Sequence, residues 1–376
     1  MGPARRLHLF ATLGSTLFAL GCASARSPLA DADVVRDLRA QGIDTSSIVI
    51  PWEVTDEMRA WVRSKVSEDL PKPRRLEALL AAITGPAGLG LQYKGGYTGT
   101  AREAFESHQA NCLAFSSLFV GLAREMGVSA FFVDVDDVEK FEKEGDLVVV
   151  SGHTSAGFDP GDGILILDFT PGDRPDYRQV QRISDRTALA LFHSNRGAEL
   201  LRAGLGDEAL EWLRQAVVID PELAGAWVNL GVALRRAGDT EAAESAYRRA
   251  LEIDPEEASA YQNLAALLSL RGRHAEAREL LALATRMGKR NPFSYLALGD
   301  LSLAYGRLDE ARRLFRKALH LDRKNPEAYA ALGMAALVQG NRVEARKWLR
   351  KAEALDQENE RVRQLAGRLH LAEGRV

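Results

Sequence analysis

The chain has 376 residues, a formal net charge of −3, and is 27% charged and 46% hydrophobic. That length is room for two domains. The near-neutral charge and the lack of a basic cluster exclude a nucleic-acid partner, and neither of the two cysteines has a free partner for a disulfide.

From the N-terminus, Arg5 and Arg6 precede an apolar run from Leu7 to Leu20 that ends at Gly21-Cys22. The run is short for a membrane span and has the charged start and apolar core of an export signal. Ala19-Leu20-Gly21-Cys22 resembles the lipobox of bacterial lipoproteins. The resemblance implies removal of residues 1–21, acylation of Cys22 and attachment to a bilayer surface. It implies a cell-envelope address, and Ala23 after the cysteine favours the outer membrane, facing the periplasm.

Ser27 to Asp69 reads as two polar helical stretches separated by Pro51-Trp52, and Pro71 and Pro73 break the chain after them. Leu76 to Ile83 has the spacing of a short amphipathic helix. The glycine-rich stretch from Gly85 to Thr100 lacks the Gly-Lys-Ser/Thr ending of a phosphate loop. Thr100 and Glu103 have capping-box spacing and start a helix through Glu106. Asn111 is a good N-cap for a second helix, whose Phe115, Leu118, Phe119 and Leu122 recur on one buried face and which stops at Gly127.

Cys112 falls in the first turn of that helix, where unpaired backbone N–H groups favour a thiolate. Ser129 to Val135 is a strand, and the acidic run Asp134, Asp136, Asp137 reads as its solvated end. Asp146 to Phe158 and Ile164 to Thr170 form a hairpin across Asp159-Pro160-Gly161-Asp162. With the turn centred between Pro160 and Gly161, paired positions sum to 321 and His153 faces Asp168. Cross-strand Cβ atoms about 5 Å apart would then allow an imidazole–carboxylate hydrogen bond.

Asn111-Cys112-Leu113-Ala114-Phe115, Leu122-Ala123-Arg124-Glu125-Met126-Gly127-Val128, Gly152-His153-Thr154 and Leu167-Asp168-Phe169 together resemble the core of the transglutaminase-like superfamily, related to papain-type thiol enzymes. The resemblance covers about Leu76 to Pro171. It implies an α+β domain over residues 22–185, counting a helical lead-in, with Cys112 as nucleophile, His153 as general base and acid, and Asp168 as the residue that orients the ring. The backbone N–H of Cys112, with Gln109 or Asn111, would hold the oxyanion. Water as acceptor gives peptide or amide hydrolysis; an amine gives cross-linking. Thr154, Ser155 and Ala156 follow the histidine where family members often carry an aromatic residue.

The second half has a fixed period. Ala209, Ala243, Ala277, Ala311 and Ala345 are spaced by 34 residues, as are Ala216, Ala250, Ala284, Ala318 and Ala352. Gly197, Gly231, Ala265, Gly299 and Gly333 precede them, and large residues hold the matching sites Leu213, Tyr247, Leu281, Phe315 and Leu349. The pattern resembles the tetratricopeptide repeat, a helix–turn–helix unit of that period. It implies an all-α solenoid of five repeats over residues 190–358 and a capping helix over 359–376. Pro221 and Pro255 end the second helix of their repeats. His193, at the start of the first repeat, is expected to pack between the two domains.

Such an array presents a concave groove to a protein or peptide, with Arg235, Arg236, Gln262, Asn263 and Asp300 as groove candidates. No cofactor and no metal are expected, because no nucleotide fingerprint or metal-ligand cluster is present. Two readings follow: a lipid-anchored thiol acyltransferase or peptidase whose repeats recruit the substrate, or a non-catalytic envelope scaffold carrying a relic thiol domain.

Overall fold

The computed structural model describes residues 31–144, 147–161, 163–167, 180–288 and 291–373. Residues 1–30, Cys22 among them, and Asp168 lie outside them. The chain divides into two compact units, Met1–Glu139 with Gly152–Asn229, and Lys140–Ser151 with Leu230–Val376.

Three helices open the first unit: α1 (Asp31–Ala40), α2 (Asp56–Lys65) and α3 (Lys72–Thr84). Pro71 caps α3 and Pro73 lies in its first turn, so these prolines start a helix rather than only breaking the chain. A proline N–H is not needed in the first turn, and its fixed φ suits a helix start. A two-residue strand β1 (Gln92–Tyr93) pairs in parallel with β2 (Gln109–Ala110). Between them α4 (Ala101–Ser107) carries the full capping box of Thr100 and Glu103.

The next helix, α5 (Cys112–Glu125), is the centre of the unit. Every residue from Leu113 to Ala123 is buried, including Ser116, Ser117 and Gly121. The spacing of Phe115, Leu118, Phe119 and Leu122 by itself marks a single buried face. The whole circumference is buried because the chain also closes on the opposite side: a Cβ on Gly121 would lie 2.4 Å from the Trp52 carbonyl oxygen. Small residues on that side let the backbone around Trp52 approach closely, which is how a helix comes to be enclosed all round. At its C-terminal end Arg124 donates to Asp185 at 2.7 Å.

Four strands form one sheet in the order β5-β4-β3-β6. They are β3 (Phe131–Glu144), β4 (Leu147–Phe158), β5 (Leu165–Leu167) and β6 (Val180–Ile183). Strand β3 is longer than expected and continues through the acidic run. The hairpin β4–β5 is antiparallel as expected, but its register differs. Ala156 pairs with Leu167, Gly157 with Ile166 and Phe158 with Leu165. These positions sum to 323, so the register is displaced by two residues from the one that set His153 opposite Asp168. The turn explains the shift. Asp159 Oδ1 accepts from the Gly161 N–H at 2.7 Å. Gly161 and Gly163 have φ of 112° and 147°. A local Asx bond and two glycine conformations centre the turn one residue later.

Helices in pairs follow: α6 (Asp185–Arg202) and α7 (Gly206–Ile219), α8 (Ala224–Arg236) and α9 (Thr240–Ile253), α10 (Ala258–Leu270) and α11 (His274–Met287), α12 (Pro292–Ala304) and α13 (Leu308–Leu321), α14 (Pro326–Val338) and α15 (Arg342–Glu353), then α16 (Glu360–Glu373). Each pair turns on a glycine with positive φ: Gly204, Gly238, Gly272, Gly306 and Gly340. These too are spaced by 34 residues, and the left-handed conformation is the reason for glycine there. Small and large residues interlock as the pattern implied. A Cβ on Gly231 would lie 2.5 Å from the Tyr247 ring, and one on Gly299 would lie 2.4 Å from Phe315. The aromatic residue of the first helix also closes the preceding turn. Trp227 Nε1 donates to the Pro221 carbonyl at 3.0 Å, Tyr261 Oη to that of Pro255 at 3.0 Å, and Tyr329 Oη to that of Arg323 at 3.3 Å. The turn at Arg323 thus keeps the same closing bond without a proline.

Candidate functional sites

Each unit holds one candidate site. In the first unit, Asn111 is an N-cap with extended backbone, and its Oδ1 accepts from the Ala114 N–H at 2.9 Å. Cys112 is the first helical residue and is half-exposed. One turn on, the Ser116 hydroxyl donates to the Cys112 carbonyl at 2.8 Å and also stands 3.3 Å from the carbonyl of Thr154. The first turn of α5 is thereby fastened to β4 next to His153. His153 is buried, with Nε2 3.0 Å from Ser155 Oγ. The third expected member, Asp168, lies outside the described residues.

The oxyanion candidates have other engagements. Gln109 is exposed, and its Oε1 accepts from Lys94 Nζ at 2.8 Å. Asn111 spends its oxygen on the cap and donates Nδ2 to Thr98 Oγ1 at 2.8 Å. Thr98 is 1% exposed and donates from both its N–H and its Oγ1 to Glu199 Oε1, each at 2.7 Å. Thr98 and Glu199 belong to no motif, but Glu199 breaks the repeat pattern, which is a signal in the sequence.

His193 is fully buried, with Nε2 3.1 Å from the Val49 carbonyl and its ring 4.8 Å from that of Trp212. It joins the N-terminal segment to the first helical pair inside one unit. Burial pushes its pKa down to about 4, against the upward pull of the Val49 carbonyl and the Gln215 side chain.

In the second unit, a cavity of about 370 Å³ is lined by α10, α11, α12 and Arg361 of α16. Gln262, Ala266 and Ser269 lie one helical turn apart along α10; Ala297, Asp300 and Ala304 do the same on α12, with Leu296 beside them. Arg361 crosses to Asp300, donating Nη1 to Oδ2 at 2.9 Å and Nη2 to Oδ1, and stands 4.0 Å from Glu327. Gln262 Oε1 accepts from Asn291 Nδ2 at 3.2 Å and from Ser294 Oγ at 3.0 Å. Of the groove candidates, Gln262 and Asp300 line the cavity. Asn263 does not: it is fully buried, because one helical residue turns it about 100° away from Gln262. Arg235 is half-buried and Arg236 exposed, and neither lines this cavity. Among the described residues, no group of three His, Cys, Asp or Glu could hold a metal, and no helix is long and apolar enough to cross a membrane.

Tetratricopeptide-repeat models match residues 190–215, 222–290 and 302–369. The C-terminal region is therefore a tetratricopeptide-repeat array, a protein-interaction fold. Among solved structures, PilF of Pseudomonas aeruginosa is similar at 25% identity over 50% of this chain and 86% of its own, with a TM-score of 0.45. PilW, described as a widely conserved type IV pilus biogenesis factor, is similar at 19% identity over 50% and 86%, with a TM-score of 0.45. YrrB, described as a TPR protein with an unusual peptide-binding site, is similar at 20% identity over 47% and 92%, with a TM-score of 0.37. No curated protein matches the chain.

His193 sets an acid-sensitivity prediction. Its native pKa near 4 lies below the ordinary 6.5. Below pH 6.5 the unfolded chain takes up a proton that the native protein refuses until about pH 4. The stability held by this residue is complete above pH 6.5 and falls with pH, by up to about 1.4 kcal/mol per pH unit. In His193→Gln that component vanishes, so the stability gap between variant and wild type in urea unfolding narrows as pH falls from 6.5 to 4. A gap independent of pH would contradict the assignment.

Proposed function

We propose that the chain is a protein-interaction scaffold that holds an extended peptide segment of a partner protein in the groove between α10 and α12. The observation that carries this reading is the cavity itself: it follows one face of the first helices of consecutive repeats and offers apolar walls with charge at one edge. A random peptide library panned on the full chain is expected to enrich sequences that bind the wild type and lose at least tenfold in affinity for Ala297→Arg, measured by fluorescence anisotropy. Enriched peptides indifferent to Ala297 would sink the groove reading.

The lipobox-like Ala19-Leu20-Gly21-Cys22 supports an envelope address for this scaffold, with the chain held to a membrane by acylated Cys22. Radiolabelled palmitate supplied to cells is expected in the wild type and not in Cys22→Ser; equal labelling of both removes the anchor.

A second reading is thiol acyl transfer at Cys112. It is supported by the Ser116 hydroxyl that fastens the start of α5 to Thr154, beside buried His153. Cys112 Sγ would attack a carboxamide carbonyl while His153 takes the thiol proton. The amine would leave with that proton, a thioester would remain, and water or a second amine would release the acyl group. Asp168 would orient the imidazole. In Cys22→Ser the only thiol is Cys112. Its alkylation rate against pH is expected to titrate below the free-thiol value of about 8.5, and to lose that shift in His153→Ala. Ordinary thiol behaviour in both proteins would leave the scaffold reading alone.

A further inference from the structure

The first repeat departs from the other four at two interior positions. Steps of 34 residues from Arg196 reach Leu230, Leu264, Leu298 and Leu332, all buried. The same steps from Glu199 reach Ala233, Leu267, Leu301 and Ala335. The first copy alone carries charge at both places, on helix α6.

Charges at such positions are costly unless paired and hydrogen-bonded. Here they are. The Arg196 and Glu199 side chains are 21% and 13% exposed and lie 3.4 Å apart. The Arg196 guanidinium stands 4.9 Å from the centre of the Tyr97 ring, and the Tyr97 hydroxyl donates to Glu103 at 2.8 Å. Glu199 receives both donors of Thr98 on one oxygen. Thr98 Oγ1, having given its proton to Glu199, accepts from Asn111. Asn111 in turn caps α5 at the Ala114 N–H. An unbroken series of bonds at 2.7–2.9 Å thus runs from the repeat helix to the turn that begins with Cys112.

We propose that Glu199 is a positioning residue: through Thr98 and Asn111 it fixes the first turn of α5, so that the first repeat is a working part of the thiol domain as well as the start of the array. The polarity of the series is set. The carboxylate is acceptor-only, which forces the Thr98 hydroxyl to donate to it and leaves that oxygen to accept from the Asn111 amide. The amide oxygen is then aimed at the helix. A leucine or alanine, as in the other repeats, would leave the Thr98 N–H buried without a partner and the Asn111 rotamer unheld. What a fixed first turn does for Cys112 chemistry rests on the thiol reading above; the strut itself does not.

The test is amide exchange followed residue by residue in the full chain, with Cys112 alkylation measured alongside. Glu199→Gln keeps an acceptor oxygen and is expected to stay near wild type. In Glu199→Ala and in Thr98→Val, exchange at the Ala114 N–H is expected to speed up by tenfold or more, while Leu122 in the last turns of α5 keeps its wild-type rate. Thr98→Val leaves the Arg196–Glu199 pair in place and covers the case in which Glu199→Ala does not fold. Unchanged exchange at Ala114 in the folded variants would overturn the proposal. So would equal acceleration at Ala114 and Leu122, which would mean that Glu199 only supports the unit as a whole. Alkylation separates the two ideas. If His153→Ala leaves the Cys112 profile unchanged, the acyl-transfer reading fails while the exchange result still decides the strut.

Discussion

A helix buried along its length cannot use water to satisfy the amides of its first turn, and this constraint organises the first unit. Helix α5 is enclosed from Leu113 to Ala123. The N–H groups of its buried first-turn residues, Leu113 and Ala114, need partners from the protein itself. Asn111 meets part of that need and is held in turn by Thr98 from the preceding loop, which Glu199 from the first repeat holds; Ser116, one turn on, stands against the sheet at Thr154. The half-exposed residue at the head of this arrangement is the single described cysteine.

The array obeys a different constraint, that of close approach between helices of a pair. Glycine on one helix receives a ring from the other at Gly231 and Gly299. Because each pair meets the same need, the same residues return at the same interval, and the array is assembled by repetition. Its edge is not repeated. Arg361 of the last helix reaches back to Asp300, so the terminal helix both covers the end of the core and sets the charge at the cavity's rim.

What could be read in the sequence follows the range of the forces involved. The capping box at Thr100 and Glu103, the Asn111 cap and the stop at Gly127 depend on neighbours within a few residues, and all are present. The repeats were legible because their packing rule recurs five times. The β4–β5 register was not, because it turns on the conformations of Gly161 and Gly163, which residue identity permits without specifying. The enclosure of α5 was half-legible: its large residues mark one face, whereas Ser116, Ser117 and Gly121 mark burial only once their partners are known. Of the candidate thiol site, Cys112 and His153 are named by motif and order alone. Thr98 was not, since an isolated threonine in a glycine-rich loop gains its meaning from a residue 101 positions away. Glu199 left a trace, a carboxylate in a column of alanine and leucine, visible only when the repeats are aligned against one another.

That column also separates the two ends of the array in their freedom to change. A whole 34-residue copy gained or lost among the later repeats would lengthen or shorten the array and leave the contacts of Glu199 intact. The first copy has no such freedom. Replaced by any of its sisters, it would bring alanine or leucine against Thr98. A change in the number of repeats thus leaves the junction at Thr98 intact only when it falls beyond the first copy.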